Sequence, residues 1–312
     1  MDESLARLVV ILGPTASGKS QLAIRLAETL HGEVVACDST QVYRYFDIGT
    51  GKVALPERRG IPHHLLDVVE PHEIFTAGEY AARATAAIAD VTRRGNLPIL
   101  TAGTGLYLRA LLEGLSDAPT RSEELRERLR GKARAKGPLH LHALLARIDP
   151  EAAKRIAPRD TQKVIRAIEM RVLGGKSVAE IHGGGRKGLE GYALLKIGLL
   201  PPREALYERI NARVRGMNAS GWVDEVRRLM DQGVPREAKP FQFIGYAELR
   251  EHLEGRLSLK AAVESIQRAT RRYAKRQLTW FRKDPGVHWL PGFGDEPAIV
   301  TEALRLARGS AV

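Results

Sequence analysis

The sequence has a single cysteine, Cys37, so it has no internal disulfide and no zinc site built from cysteines, and it fits a reducing compartment. Cys37 itself reads as a small buried strand residue. Long apolar runs are also missing. The run at 8–12 ends in Gly-Pro, is far short of the ~20 residues a membrane helix needs, and lacks the basic flank and cleavage site of a leader. A cytoplasmic protein without a membrane partner is expected. No internal repeat is present.

What is in excess is positive charge. Over 312 residues, 49 Lys and Arg stand against 37 Asp and Glu, a net charge of +12. Such an excess favours an anionic partner, nucleic acid first and an anionic membrane second. The balance of 44% hydrophobic and 28% charged residues is that of an ordinary globular protein, long enough for one large domain or two modest ones.

Apolar runs alternate with helical patterns in the first part of the chain. Strands are predicted at 8–12, 33–37 and 97–101. Helices are predicted at 19–30, with Leu22, Leu26 and Leu30 on one face, at 77–94, ended by Gly95, and at 105–112. This alternation predicts a doubly wound parallel sheet. From 119 to 185 the chain is helical and highly charged, interrupted by Gly-Pro at 137–138 and closed by a glycine-rich loop at 183–188. A strand at 193–200 resumes the sheet. Helices follow at 203–218, 221–232, 246–253 and 258–283. The predicted fold class is therefore α/β, a P-loop NTPase-like doubly wound parallel sheet built from 1–118 and 189–312, with a helical insertion domain at 119–188.

Residues 13–20 read Gly13-Pro14-Thr15-Ala16-Ser17-Gly18-Lys19-Ser20 and fit G-x-x-x-x-G-K-[ST] between a predicted strand and a predicted helix. Gly13 and Gly18 permit backbone conformations that a Cβ disfavours. The loop amides and the helix N-terminus then form a cradle for a diphosphate or triphosphate. Lys19 reaches two phosphate groups, and Ser20 is the candidate ligand of Mg²⁺.

A kinase or NTPase would also hold its Mg²⁺ with an acid at a neighbouring strand end. The strand at 97–101 ends in Thr101, Ala102 and Gly103, with no acid. The strand at 33–37 does end in one, Asp38, which the topology of a doubly wound sheet brings to the ligand crevice. Asp38 is a candidate for binding Mg²⁺, for accepting a proton from a nucleophile, or for capping a helix. Thr104 is a candidate for donating to a bridging oxygen or for capping the helix at 105–112. Further on, residues 268–283 carry seven basic residues and no acid, interleaved with Tyr273, Trp280 and Phe281. That pattern suits RNA backbone and unstacked bases, or a solvated face with the aromatics turned into the core.

With these residues in view, the chain resembles the tRNA dimethylallyltransferase (isopentenyl-diphosphate:tRNA transferase) family. GPTASGKS at 13–20 matches its P-loop, and DSTQVYR at 38–44, DIGTGK at 47–52, PHHLLD at 62–67 and AGTGLYLRALLEG at 102–114 match its next blocks. TQKVIRAIE at 161–169, LYERINARVRGM at 206–217, IGYAEL at 244–249 and RYAKRQLTWFRK at 272–283 continue the likeness, in order, along nearly the whole chain. Ala102 stands where the family pattern is expected to have glycine. No zinc-finger tail of the kind some eukaryotic relatives carry follows, which implies a bacterial-type enzyme.

The resemblance implies that dimethylallyl diphosphate lies with its diphosphate in the P-loop. N6 of the adenosine 3′ of the anticodon, position 37, attacks the allylic carbon, and diphosphate leaves. Mg²⁺ and Lys19 neutralise the departing charge, Asp38 takes the N6 proton, and Thr104 holds the bridging oxygen or the nucleophile. The tRNA anticodon stem-loop is implied to touch Asp38, Ser39, Thr40 and Gln41, then Gln162, Lys163, Val164, Ile165 and Arg166, with Arg126 a weaker candidate. Arg271, Lys275 and Arg276 add contacts from the basic helix. Arg209 and Arg213, one turn apart, are candidates either for helix-surface ion pairs or for diphosphate binding. An anticodon stem gives no reason to require a dimer, so a monomer is expected. The rival readings are a P-loop small-molecule or nucleoside kinase and a non-catalytic P-loop RNA-binding factor.

Overall fold

The computed structural model describes residues 5–116, 119, 121–183 and 187–309. Six parallel strands form one sheet. They are β1 (Ala6–Leu12), β2 (Gly32–Cys37), β3 (His63–His64), β4 (Leu97–Ala102), β5 (Tyr192–Leu199) and β6 (Val287–Leu290), in the order β3-β2-β4-β1-β5-β6. β1 lies near the middle and is apolar on both faces. Leu8, Val10 and Leu12 enter one core, while Val9 and Ile11 enter the other. This is how a strand covered on both sides reads.

The second face is covered by α1 (Lys19–Leu30) and α13 (Pro297–Gly309), which bury Leu22, Leu26, Ile299 and Ala303 against it. Each large aliphatic side chain removed from water there contributes about 1.5–3 kcal/mol. The first face is covered by α2 (Ala77–Arg93), α3 (Gly105–Leu112) and a helical set that follows β5. That set comprises α9 (Arg203–Ala219), α10 (Trp222–Asp231), α11 (Tyr246–Leu253) and α12 (Leu259–Phe281). Thr76 caps α2 by accepting from the Glu79 amide at 3.2 Å, and Glu79 reaches back to the Thr76 amide at 2.8 Å, a reciprocal cap.

The sheet has two short strands, β3 and β6, and a terminal helix, α13, that the sequence pattern leaves out. Both strands are edges, only two and four residues long, too short to show a clear period. Ala102 lies in β4, fully buried and without a positive φ, so a glycine is not required there.

The second unit, Glu113–Gly188, is helical. It holds α4 (Glu123–Lys136), α5 (Pro138–Ile148), α6 (Pro150–Arg155), α7 (Thr161–Gly174) and α8 (Val178–Gly183) around Leu129, Leu141, Leu145, Val164 and Ile168. The Gly-Pro pair at 137–138 separates α4 from α5 as its chemistry requires. Residues 184–186 of the glycine-rich loop, and residue 118 at the expected domain boundary, lie outside the described residues.

Two of the residues implied as RNA contacts have their side chains in the core of this unit. Val164 and Ile165 are 0% and 4% exposed, on the inward face of α7, and their side chains form the unit's core. Gln162 and Lys163 are exposed on the opposite face, and Lys163 pairs with Asp160. Arg126 and Arg166 both converge on Glu169, which is fully buried. Arg126 donates to it at 2.9 and 2.7 Å, Arg166 at 2.6 Å, and the Ser122 amide at 2.8 Å. These bonds hold the Glu169 carboxyl at about 2, below its usual 4.5, against the opposing effect of burial.

The stability this supplies is full above the usual value and is lost as pH falls from there towards 2. Glu169→Ala leaves two partly buried guanidinium groups unpaired and should cost about 3 kcal/mol at neutral pH in a denaturant melt. A loss within ~0.5 kcal/mol, the range of a surface substitution, would contradict this account.

Candidate active site

The phosphate loop joins β1 to α1. Gly18 at φ 89° caps the helix, and Ala16 is held at φ 64°, a left-handed conformation that an L residue adopts at a cost. The Lys19 ammonium lies over the loop and donates to the Gly13 and Pro14 carbonyls at 3.0 and 2.9 Å. Removal of water around it pulls its pKa down from 10.5 to about 8. The Asp38 charge opposes that shift, and Arg213 adds to it. Lys19, Asp38 and Arg213 therefore share one electrostatic neighbourhood.

Asp38 follows the last residue of β2. Its Oδ1 accepts from the Thr40 amide at 2.9 Å and the Thr40 hydroxyl at 2.7 Å, so the residue closes a turn and caps no helix. Its Oδ2 lies over Gly103, where an added Cβ would stand 2.5 Å away. Glycine at 103 thus lets the carboxylate lie flat against the turn after β4, with one oxygen fixed and the other available.

Thr104 follows Gly103 at the carboxyl end of β4. Its hydroxyl accepts from the Ser39 amide at 3.0 Å and donates to the Ser39 hydroxyl at 3.2 Å, and it is not among the residues lining the cavity. It braces the Asp38–Ser39 turn and interacts with the Tyr273 hydroxyl at the cavity edge. Gln41 commits its amide nitrogen to the Thr50 and Gly51 carbonyls at 3.2 and 3.3 Å, so it shapes the 47–52 loop.

That loop is held from below by a carboxylate the sequence analysis missed. Glu225 in α10 is 2% exposed and accepts from the Asp47 and Ile48 amides at 3.1 and 2.9 Å and from the Tyr246 hydroxyl at 2.6 Å. The Tyr246 oxygen in turn accepts from the Gly49 amide at 3.1 Å. Gly51 lies directly against the Arg213 guanidinium, and Gly49 against the Trp222 ring.

The structure also separates the two arginines of α9. Arg209 forms a forked pair with Asp295 at 2.8 and 3.1 Å and lies over the Phe293 ring at 4.6 Å. Its charge is matched by protein. Both arginines line the cavity, and Arg213 lies in the electrostatic neighbourhood of Lys19 and Asp38.

These groups line a cavity of about 1460 Å³. A site for one small ligand holds about 300–1000 Å³, so this one has room for two reactants. One wall is polar: Thr15 to Ser20, Asp38 and Arg213. Another is apolar and includes Ile48, Val214, Met217, Trp222, Ile244 and Ile266. α12 closes a side with Tyr273, Arg276 and Gln277. Lys275 and Arg276 are exposed, with Arg276 over the Tyr273 ring at 5.6 Å, whereas Arg271 is partly buried and bound to Asn211. Trp280 is 46% exposed beside Gly105.

The fold and this site define a class: a P-loop α/β protein whose loop lysine and strand-end carboxylate share one cavity with a basic, aromatic helix at its edge. Residues 41–284 match the family described as IPP transferase, and the chain belongs to that family. It is 52% identical over 298 residues to the tRNA dimethylallyltransferase of Solibacter usitatus, covering 95% of this chain and 96% of that one. Identity to the enzyme of Koribacter versatilis is 50% over 303 residues, with coverage of 97% and 98%.

Among solved structures, the full-length tRNA isopentenylpyrophosphate transferase of Bacillus halodurans is 39% identical, with TM-score 0.72 over 97% of this chain and 96% of that one. A eukaryotic dimethylallyltransferase acting on tRNA is 30% identical, with TM-score 0.78 over 92% of this chain and 74% of that one.

Proposed function

We propose that this chain transfers the dimethylallyl group of dimethylallyl diphosphate to N6 of adenosine 37, immediately 3′ of the anticodon of a tRNA, and releases diphosphate. The observation that carries the reading is the placement of the Lys19 ammonium and the Asp38 carboxylate in one cavity. One group stabilises a departing polyphosphate, and the other receives the proton of the incoming nucleophile.

In the proposed reaction the diphosphate lies in the loop, where the amides at the start of α1, Lys19 and Arg213 offset its charge. The dimethylallyl group lies along the apolar wall. The adenine leaves its stack to enter, at about a few kcal/mol. N6 bonds to the allylic carbon as the carbon–oxygen bond breaks with its electron pair going to diphosphate. The N6 proton passes to Asp38 Oδ2, the oxygen that Thr40 does not hold. Lys275 and Arg276 at the edge of the cavity suit phosphates of the anticodon arm.

Mg²⁺ fits this site as a bound partner of the substrate. Ser20 supplies a hard hydroxyl oxygen in the first turn of α1, and the described residues hold no cluster of three or more His, Cys, Asp or Glu that would form a protein-only cage. The ion would rest mainly on phosphate oxygens and water, its usual preference, and would supply further charge neutralisation.

Ligand stabilisation separates this reading from a kinase. A ligand at 100 times its Kd adds about 2.7 kcal/mol to stability. With Mg²⁺ present, dimethylallyl diphosphate should raise Tm by several degrees and more than ATP does. A larger rise with ATP would reverse the assignment.

A further inference from the structure

The basic stretch of α12 carries a buried amide that turns inward. Gln277, between Arg276 and Leu278, is 5% exposed. Its Oε1 accepts from the Thr15 amide at 2.8 Å, and its Nε2 donates to the Gly103 carbonyl at 2.7 Å. Tyr273, one turn earlier, donates from its hydroxyl to the same carbonyl at 3.3 Å. Thr15 belongs to the phosphate loop. Gly103 is the residue over which Asp38 Oδ2 lies.

One buried amide therefore spans the two halves of the site: the loop that receives the leaving group and the turn that supports the proton acceptor. Only a group with an acceptor and a donor about two ångströms apart on one planar tip satisfies both ends. A hydrophobic residue of the same length fills the volume but leaves the part-buried Thr15 N–H unpaired and the Gly103 carbonyl with only the Tyr273 hydroxyl. Peptide groups freed in that way can rotate, and the Thr15 peptide sets the course of the phosphate loop.

We infer that Gln277 is a positioning residue of the transfer reaction, fixing the phosphate loop and the Asp38–Gly103 wall in register so that leaving group and proton acceptor lie in line. The inference rests on the function proposed above. A displacement of about 1 Å between reacting groups costs roughly 10²-fold in rate, which is the scale on which a single bracing amide acts.

The test uses the full chain with Mg²⁺, dimethylallyl diphosphate and unmodified tRNA, and compares wild type with Gln277→Met and Gln277→Glu. Gln277→Met keeps the volume and loses both bonds. Gln277→Glu keeps the acceptor for Thr15 and loses the donor to Gly103. Gln277→Met should lower kcat by about 10- to 100-fold, weaken binding of inorganic diphosphate measured by calorimetry, and leave the KM for tRNA within about threefold. Gln277→Glu should fall between the two in diphosphate affinity.

Wild-type kcat and wild-type diphosphate affinity per folded molecule in Gln277→Met, with only Tm lowered, would overturn the inference and leave a packing residue. If Gln277→Met does not fold, a Gln277→Glu protein indistinguishable from wild type in kcat and diphosphate affinity overturns it equally. Absence of transfer by the wild type is a separate result, which removes the proposed function itself.

Discussion

Asp38→Asn is expected to lower kcat by about 10²–10⁴-fold, the contribution of a positioned general base, while the KM values for dimethylallyl diphosphate and tRNA change by no more than a few-fold. The asparagine Oδ1 can still accept from the Thr40 amide and hydroxyl, so the turn after β2 survives the change. The other end of the side chain, over Gly103, becomes an amide with no capacity to take the N6 proton. The comparison thus separates the chemistry of the carboxylate from its structural work. Steady-state kinetics at saturating levels of both substrates is the measurement. A rate within about threefold of wild type would mean that the proton leaves by another route.

The second large effect is a pH dependence set by Lys19. Its ammonium loses a proton at about 8 in the free protein, below the ordinary 10.5, because the site strips water from it. Diphosphate prefers the charged form. The kcat/KM for dimethylallyl diphosphate should therefore fall as pH rises through about 8, with the slope of one proton, since that parameter reports groups of the free enzyme. Stability runs the other way. Between about pH 8 and 10.5 the unfolded chain binds the proton that the folded one has lost, so this residue makes folding more favourable as pH rises through that window.

Lys19→Arg keeps a charge at every pH in the range and should flatten the alkaline limb. Lys19→Met should lose about 10²–10³ in kcat, as for removal of one donor to a developing anion. An alkaline limb that persists unchanged in Lys19→Arg would assign it to another group.

The parts of the site that the sequence displays are those made by contiguous residues. The phosphate loop is read from eight neighbours between a strand and a helix, and Asp38 from its place at a strand end. The parts it conceals are braces assembled from far along the chain. Glu225 reaches Ile48 across 177 positions, and Gln277 reaches Thr15 across 262. Each leaves only a faint trace. Glu225 is an acid on the apolar face of an amphipathic helix, and Gln277 an uncharged residue in a run of basic ones.

The block at 162–166 is legible as helical, but the resemblance alone does not tell its two faces apart. The helical period turns Val164, Ile165 and Ile168 inward together and leaves Gln162 and Lys163 outside. Thr104 was legible as a residue near the site, but its bond to Ser39 was not. A hydroxyl at a strand end can serve a ligand, a neighbouring turn or both, and the turn partner shows only in the fold.

The most direct test of the central claim is chemical. The purified protein is incubated with Mg²⁺, dimethylallyl diphosphate and unmodified tRNA whose anticodon ends in adenosine, and the RNA is digested to nucleosides for mass analysis. The account predicts N6-isopentenyladenosine among the nucleosides from the wild type, and about 10²–10⁴-fold less of it per unit time with Asp38→Asn. No isopentenylated nucleoside from the wild type, together with ATP-dependent phosphorylation of another acceptor, would contradict it.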